Sequence, residues 1–371
     1  MKNLGFGFMR LPLLDPNDVT SIDDAQLCRM VDRFLEQGFT YFDTAYFYHQ
    51  KVSECAVKRT LVDRHPRESY VLADKMPTFL VEKPEDYETY FAEQLSKCGV
   101  EYFDYYLLHT LDKALYAKTK EYGGFAFGEK LKRERKIRHL GFSFHDTADV
   151  LDQILTEQPG VEFVQLQINY MDWENEQVQS RKCWEVARKR KKPVIVMEPV
   201  RGGGLAKVPE EVGSIMRAYH PDLSIPSWAI RYAASLEGVM MVLSGMTSLA
   251  QVEDNTSYMR EFVPLNDEEK GIIAKSAEII RNRIAIPCTA CRYCVDECPN
   301  RIPIPDIFSI YNERERTRDV YSPKVNYGKL VEAEGHGKAS QCVKCKKCEG
   351  HCPQHIEITK WLEEIAAEFE G

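Results

Sequence analysis

Phe39-Thr40-Tyr41-Phe42-Asp43-Thr44-Ala45-Tyr46-Phe47-Tyr48 is the stretch from which the fold is read. Its first half has the aromatic and β-branched composition of a buried strand. It then passes directly into residues that can do proton chemistry. In a closed barrel of parallel strands, the chemistry gathers at the C-terminal strand ends. The next two candidate strands end the same way, Ser69–Lys75 in a lysine and Asp104–His109 in a histidine. Leu4–Arg10, His139–His145, Glu162–Asn169, Pro193–Pro199 and Val239–Gly245, together with Phe39–Ala45, bring the set to eight. Between them lie amphipathic stretches such as Asp23–Gln37, Glu85–Lys97, Asn175–Arg190 and Ser227–Ser235. In the first of these the apolar residues Leu27, Met30, Val31, Phe34 and Leu35 recur at helical spacing. Eight strand-then-helix units over roughly 260 residues predict an α/β protein of the (β/α)8 TIM barrel class. An open doubly wound sheet would need a glycine fingerprint after its first strand. Gly5 and Gly7 begin one, but no helix with a third glycine follows.

The chain has 371 residues, with 49 Lys+Arg against 57 Asp+Glu and a formal net charge of −8. That balance argues against nucleic acid or an anionic membrane surface as partner, since both require a positive field. No apolar run approaches the ~20 residues that span a bilayer. No secretory signal pattern is visible at the start, so the expected compartment is the cytoplasm. Twelve cysteines stand out. Cys28, Cys55, Cys98 and Cys183 are scattered, and the other eight fall between Cys288 and Cys352. In a reducing compartment such a cluster reads as metal ligands before disulfides.

The tail repeats one motif. Cys288-x-x-Cys291-x-x-Cys294-x-x-x-Cys298-Pro299 returns as Cys342-x-x-Cys345-x-x-Cys348-x-x-x-Cys352-Pro353. In this iron–sulfur spacing, three close thiolates wrap one [4Fe–4S] core and the fourth, before the proline, reaches the other cluster. Cys288, Cys291, Cys294 and Cys352 are therefore expected to hold one cluster, and Cys342, Cys345, Cys348 and Cys298 the second. Zinc is the competing metal, but a zinc ribbon has no reason to repeat the three-residue gap and the proline. Helices are expected at Pro305–Arg318 and Ile358–Phe369. The tail is thus similar to the small α-helical ferredoxin domains that serve as electron-transfer modules. Residues 1–270 are assigned to the barrel and 280–371 to the cluster domain. Lys338, Lys344, Lys346 and Lys347 crowd the second motif, either as a docking patch for an acidic soluble electron carrier or as a solvated face.

The barrel's rim residues suit carbonyl chemistry. A lysine ammonium stabilises a tyrosine phenolate, an aspartate holds the lysine in place, and a neutral histidine orients a substrate carbonyl. Here residues 1–265 resemble the aldo-keto reductases. Phe42-Asp43-Thr44-Ala45 with Tyr48, Lys75 closing the next strand, and His109 in Asp-Tyr-Tyr-Leu-Leu-His are similar to that family's tetrad. The resemblance implies Tyr48 as general acid, Lys75 and Asp43 as its tuners and His109 as orienter. It also implies a nicotinamide site at Ser143, Gln165, Asn169, Glu198, Arg201, Gly202, Gly203, Asp254 and Asn255. Met197 stands where the family places an aromatic residue, and Glu198 where serine is common. Gly245–Gln251 carries no Lys or Arg for an adenosine 2′-phosphate. NADH, NADPH and a flavin therefore all stay open.

Hydride moves two electrons and a cluster moves one, so the two halves do not exchange directly. Three readings follow. One is an iron–sulfur oxidoreductase acting on a small carbonyl or alcohol, with two [4Fe–4S] clusters for electron transfer. The second keeps that chemistry with structural clusters capping the active site. The third is an electron-transfer module with a non-catalytic barrel, against which the intact tetrad argues.

Overall fold

Eight short strands alternate with helices through the first two thirds of the chain. They are β1 (Leu4–Gly7), β2 (Tyr41–Asp43), β3 (Val71–Met76), β4 (Phe103–Leu111), β5 (Ile137–Phe144), β6 (Phe163–Gln167), β7 (Val194–Met197) and β8 (Val239–Gly245). All pair in parallel with their chain neighbours, and β8 pairs back onto β1, closing the (β/α)8 barrel. The computed structural model describes residues 2–16, 18–317, 321–333 and 335–371.

Alternation along the strands sets the interior. Tyr41, Ala73, Leu107, Phe163, Ile195, Met241 and Leu243 form one buried cluster inside the barrel. Two large rings fit there because facing positions are glycine. A Cβ on Gly5 would lie 2.9 Å from the Tyr41 ring, and one on Gly141 2.5 Å from the Phe163 ring. Side chains repeat on one face every second residue. Two positions beyond Tyr41, Ala73, Leu107, Gly141 and Phe163 therefore come Asp43, Lys75, His109, Ser143 and Gln165. The layer above the barrel's apolar plug is thus made of the polar residues singled out from sequence.

In chain order the helices here are α1 (Asp24–Glu36), α2 (Ser53–Val57), α3 (Asp86–Cys98), α4 (Lys113–Glu121), α5 (Gly124–Arg133), α6 (Ala148–Glu157), α7 (Ser180–Lys189), α8 (Glu210–Tyr219), α9 (Ile225–Ala234), α10 (Leu249–Met259) and α11 (Asp267–Arg281). α1 shows the logic: Asp23 caps it by accepting from the Gln26 N–H at 2.9 Å, and it buries Leu27, Met30, Val31 and Phe34. One expectation shifts. α7 starts at Ser180 rather than Asn175, because Gln179 takes a left-handed φ of 54° that helical backbone does not tolerate. In α4, after His109, Tyr116 is buried with its hydroxyl 2.7 Å from Glu157 Oε2.

The chain divides into two compact units. The first comprises Met1–Asn175, Gln179–Pro199 and Pro226–Asn266, and the second Glu176–Val178, Val200–Ile225 and Asp267–Gly371. The second adds α12 (Tyr293–Asp296), α13 (Ile304–Thr317), α14 (Tyr321–Glu332), α15 (Lys347–Gly350) and α16 (Ile358–Phe369). Ile302, Ile304, Phe308, Leu362, Ile365 and Phe369 lie at the centre of its core. α16 occupies its expected span, and α13 starts one residue earlier than expected. Arg318, the expected end of α13, lies outside the described residues. α14 escapes a reading by period, since it buries only Pro323, Tyr327 and Val331.

Candidate functional site

β2 carries Asp43 at its end, β3 carries Lys75 and β4 carries His109, so the barrel's closure brings the three together. Lys75 is 1% exposed. Its Nζ donates to Asp43 Oδ1 at 2.5 Å, to the Thr44 carbonyl at 2.7 Å and to the Tyr48 hydroxyl at 3.3 Å. The Tyr48 and His109 rings stand edge-on, with centroids 6.1 Å apart. Tyr48 is fixed by an unusual turn in which His49, Gln50 and Lys51 all have left-handed φ. The turn is pinned where the His49 ring accepts from the Leu11 N–H at 3.2 Å and bonds the Val19 carbonyl at 2.7 Å. Thr110 and Glu198, at the ends of β4 and β7, are left-handed too, so backbone strain gathers at the rim.

The electrostatics have definite directions. Burial pushes the Asp43 carboxyl up, and the Lys75 ammonium and the Gln165 amide oppose it. Burial lowers His109 well below the usual imidazole range, with the Lys75 and His145 charges adding to it, so the ring is neutral near pH 7. Tyr48 is raised well above an ordinary phenol, first by burial and then by Asp43, Glu198 and Asp74, with Arg10 opposing. The expected acidifying influence of Lys75 is therefore outweighed. The phenol keeps its proton at neutral pH until an acceptor arrives.

The residues singled out for a nicotinamide behave differently from one another. Gln165 is buried beside Asp43, and its Oε1 has no hydrogen-bond partner among the described residues. Ser143 Oγ accepts from the Thr110 N–H at 2.7 Å, which leaves its own hydroxyl hydrogen to donate. Asn169 is engaged locally, donating to Asp172 Oδ2 at 2.8 Å and to the Glu198 carbonyl at 3.1 Å, and accepting from the Met171 and Asp172 N–H groups. Asn255 likewise donates to Ser244 Oγ and accepts from the Tyr258 hydroxyl. Asp254 precedes it on α10. Two buried polar atoms without a hydrogen-bond partner among the described residues, Gln165 Oε1 and His109 Nδ1, mark where a polar ligand would be received.

Arg201, Gly202 and Gly203 belong to the second unit. Arg201 is 7% exposed and donates to the Pro287 carbonyl at 3.1 Å. Gly202 and Gly203 take φ of 63° and 94°, the second of which suits glycine alone.

The eight tail cysteines separate into two sets. Cys288, Cys291, Cys294 and Cys352 line one small cavity. Cys298, Cys342, Cys345 and Cys348 line another. The crossed grouping is the one read from the repeat. Ile304 lines both cavities. The backbone repeats as well: Ala290 and Lys344, Arg292 and Lys346, Arg301 and His355 are left-handed, each pair in register one repeat apart. Such turns aim N–H groups at sulfur, as the Ala290 N–H does at Cys288 Sγ (3.4 Å) and the Ile302 N–H at Cys298 Sγ (3.5 Å). Among the described residues, no three Cys, His, Asp or Glu converge as one metal ion requires. Four soft thiolates spread around a cavity fit the corners of a cubane better than a tetrahedral zinc ion.

A supporting layer escaped the sequence reading. Gln94 on α3 donates to the Lys75 carbonyl at 2.9 Å and accepts from the Tyr106 hydroxyl at 2.5 Å. Thr78 donates to the His109 carbonyl at 2.5 Å. Lys97 pairs with the fully buried Glu54 at 2.7 Å. The available signal was a polar Gln94 on the face of α3 that also carries Tyr87, Phe91 and Cys98.

Residues 3–278 match the Aldo/keto reductase family, and residues 287–357 match the 4Fe-4S dicluster domain. No curated protein sequence matches the chain. Among solved structures, an aldo-keto reductase from Bacillus halodurans in its holo form is similar at TM-score 0.60 and 24% identity, covering 74% of this chain and 91% of its own. One from Klebsiella pneumoniae in complex with NADPH has TM-score 0.59 and 18% identity, with 74% and 90% covered. One from Brucella melitensis has TM-score 0.55 and 21% identity, with 74% and 94% covered.

Proposed function

The chain belongs to the aldo/keto reductase family and carries a 4Fe-4S dicluster domain, and from that premise we propose that it reduces a small carbonyl compound, or oxidises the alcohol, with Tyr48 as the proton donor. The class is oxidoreductase. The observation that carries the proposal is the buried Lys75 ammonium, hydrogen-bonded at once to Asp43, the Thr44 carbonyl and the Tyr48 hydroxyl.

A reduced nicotinamide, when bound, supplies the hydride. Gln165 and Ser143, which keep unused hydrogen-bonding capacity, would hold it, and Asn169, Glu198, Asp254 and Asn255 are proposed with them. The neutral His109 donates one N–H to the substrate carbonyl oxygen and aligns it. Tyr48 gives its proton to that oxygen as negative charge develops there. Lys75, 3.3 Å from the phenol oxygen, stabilises the phenolate left behind, and Asp43 keeps Lys75 in place. Burial of Lys75 and Asp43 keeps water from weakening these interactions.

In the tail, Cys288, Cys291, Cys294 and Cys352 would hold one [4Fe–4S] cluster and Cys342, Cys345, Cys348 and Cys298 the other, and clusters so held exchange single electrons. The barrel is assigned residues 1–270 and the cluster domain 280–371. Among the described residues no helix is long and apolar enough to cross a membrane, and the free thiols suit a reducing cytoplasm. The test is a panel of aldehydes and ketones offered anaerobically with NADH and with NADPH. One reduced nicotinamide should be consumed with an equivalent of alcohol formed. Absence of both binding and consumption for either nicotinamide would overturn the proposal.

A further inference from the structure

The two cysteine motifs share a backbone path but differ in what surrounds them. In the first, Thr289 is 3% exposed, Ala290, Cys291 and Tyr293 are half-buried, and the exposed Arg292 pairs with Asp306 at 2.7 Å. In the second, the equivalent positions Val343, Lys344, Cys345, Lys346 and Lys347 are all exposed, Val343 at 63%. One motif is sheltered and nearly neutral around its loop, while the other opens to water through an apolar side chain, a thiol and three ammonium groups.

The charges on the second loop are available for exchange. Lys344 pairs with Glu363 at 2.9 Å and Lys346 with Glu349 at 3.7 Å, and both lysines are more than half exposed. Such pairs hold weakly and re-form readily with other carboxylates. Lys347 is exposed as well. A small apolar contact rimmed by like charges suits a brief, electrostatically steered encounter, the kind used by redox partners. The chain's overall charge of −8 makes this local positive loop the more selective.

We infer that the surface formed by Val343, Lys344, Cys345, Lys346 and Lys347 is the docking face for a small acidic protein that carries one electron at a time. The inference rests on the reading that the eight tail cysteines hold two redox-active clusters. The exchange balances singly: the reduced carrier is oxidised by one electron, and the same electron reduces the site held by Cys298, Cys342, Cys345 and Cys348. Ile304, 1% exposed, lines both that cavity and the sheltered one.

The test uses the full-length, cluster-loaded protein without air, with a reduced acidic [2Fe–2S] ferredoxin as the probe. Two quantities are read: the bimolecular rate of cluster bleaching, and the affinity of the oxidised probe for the chain. Both should fall as salt rises. Lys344→Glu/Lys347→Glu should lower the rate about tenfold or more at low salt and weaken binding, with Lys344→Gln/Lys347→Gln giving a smaller drop. Bleaching by dithionite and iron content should not change in either variant. Lys270→Glu/Lys275→Glu, an equal charge change on α11, should leave the rate within about twofold. An unchanged rate in the Lys344/Lys347 variants, with dithionite bleaching intact, would overturn the docking face. So would an equal loss in the α11 control, or preferential binding of the loop to anionic vesicles. Failure of dithionite to bleach the wild type would instead remove the redox reading beneath it.

Discussion

Lys75 is the residue on which the rim depends, because a buried ammonium is tolerated only where acceptors surround it. Asp43 and the Thr44 carbonyl provide them at 2.5 and 2.7 Å. Lys75→Met would leave the Asp43 carboxylate buried and uncompensated, at a cost of about 3–5 kcal/mol in chemical denaturation. It should also lower carbonyl reduction by about a hundredfold or more. The raised Tyr48 phenol predicts an asymmetry with pH. Reduction needs the protonated form and should stay flat across neutral pH. Alcohol oxidation needs the phenolate and should climb into the alkaline range, which paired pH–rate profiles would show. His109 adds a stability term of definite sign. Its folded pKa is lowered, so as pH falls below about 6.5 the unfolded chain takes up a proton that the folded chain refuses, and stability drops. His109→Gln should reduce the stability lost between about pH 7 and pH 5.5, measured by urea unfolding.

At the scale of elements, the strand register decides which residues share a site. Gly141 faces Phe163 across the β5–β6 ladder, and an added Cβ would lie 2.5 Å from the ring. Gly141→Ala should therefore cost about 1–3 kcal/mol in urea unfolding and displace Gln165, two residues beyond Phe163, enough to weaken nicotinamide binding. All eight strands were legible because each is a short, largely apolar run set between helical stretches. Their limits were not. The Phe8 N–H to Asp43 carbonyl and Thr44 N–H to Ala73 carbonyl bonds are the last of the β1–β2 and β2–β3 ladders, so β1 ends at Gly7 and β2 at Asp43, short of the Arg10 and Ala45 read from sequence. Asp43, Lys75 and His109 were legible because they sit at or near the C-terminal ends of β2, β3 and β4. Gln94 and Thr78 act through backbone carbonyls, a role that no residue type or spacing announces. α14 stayed hidden because it buries little, while both cysteine loops were plain because soft-ligand spacing is independent of packing.

At the scale of the molecule, the proposed reading puts a two-electron site and a pair of one-electron sites on one chain. The second unit's core includes Cys294 and Cys348 among its buried residues, so on the proposed ligand sets its folding is tied to the metal the thiolates would hold. Removing iron with a chelator should strip hydrogen-exchange protection from residues 285–371 while β1–β8 keep theirs. Equal loss in both would mean the two fold as one. Cys345→Ser should halve the bound iron and sulfide if each set of four holds a separate cluster. The barrel chemistry is tested most directly by Tyr48→Phe. This change removes one oxygen and leaves the Lys75–Asp43 pair intact. In an anaerobic single turnover with a carbonyl substrate, the wild type should oxidise its bound nicotinamide and release the alcohol. A folded Tyr48→Phe protein that binds nicotinamide as tightly should be slower by about a hundredfold or more. A folded Tyr48→Phe protein that turns over at the wild-type rate would contradict the account.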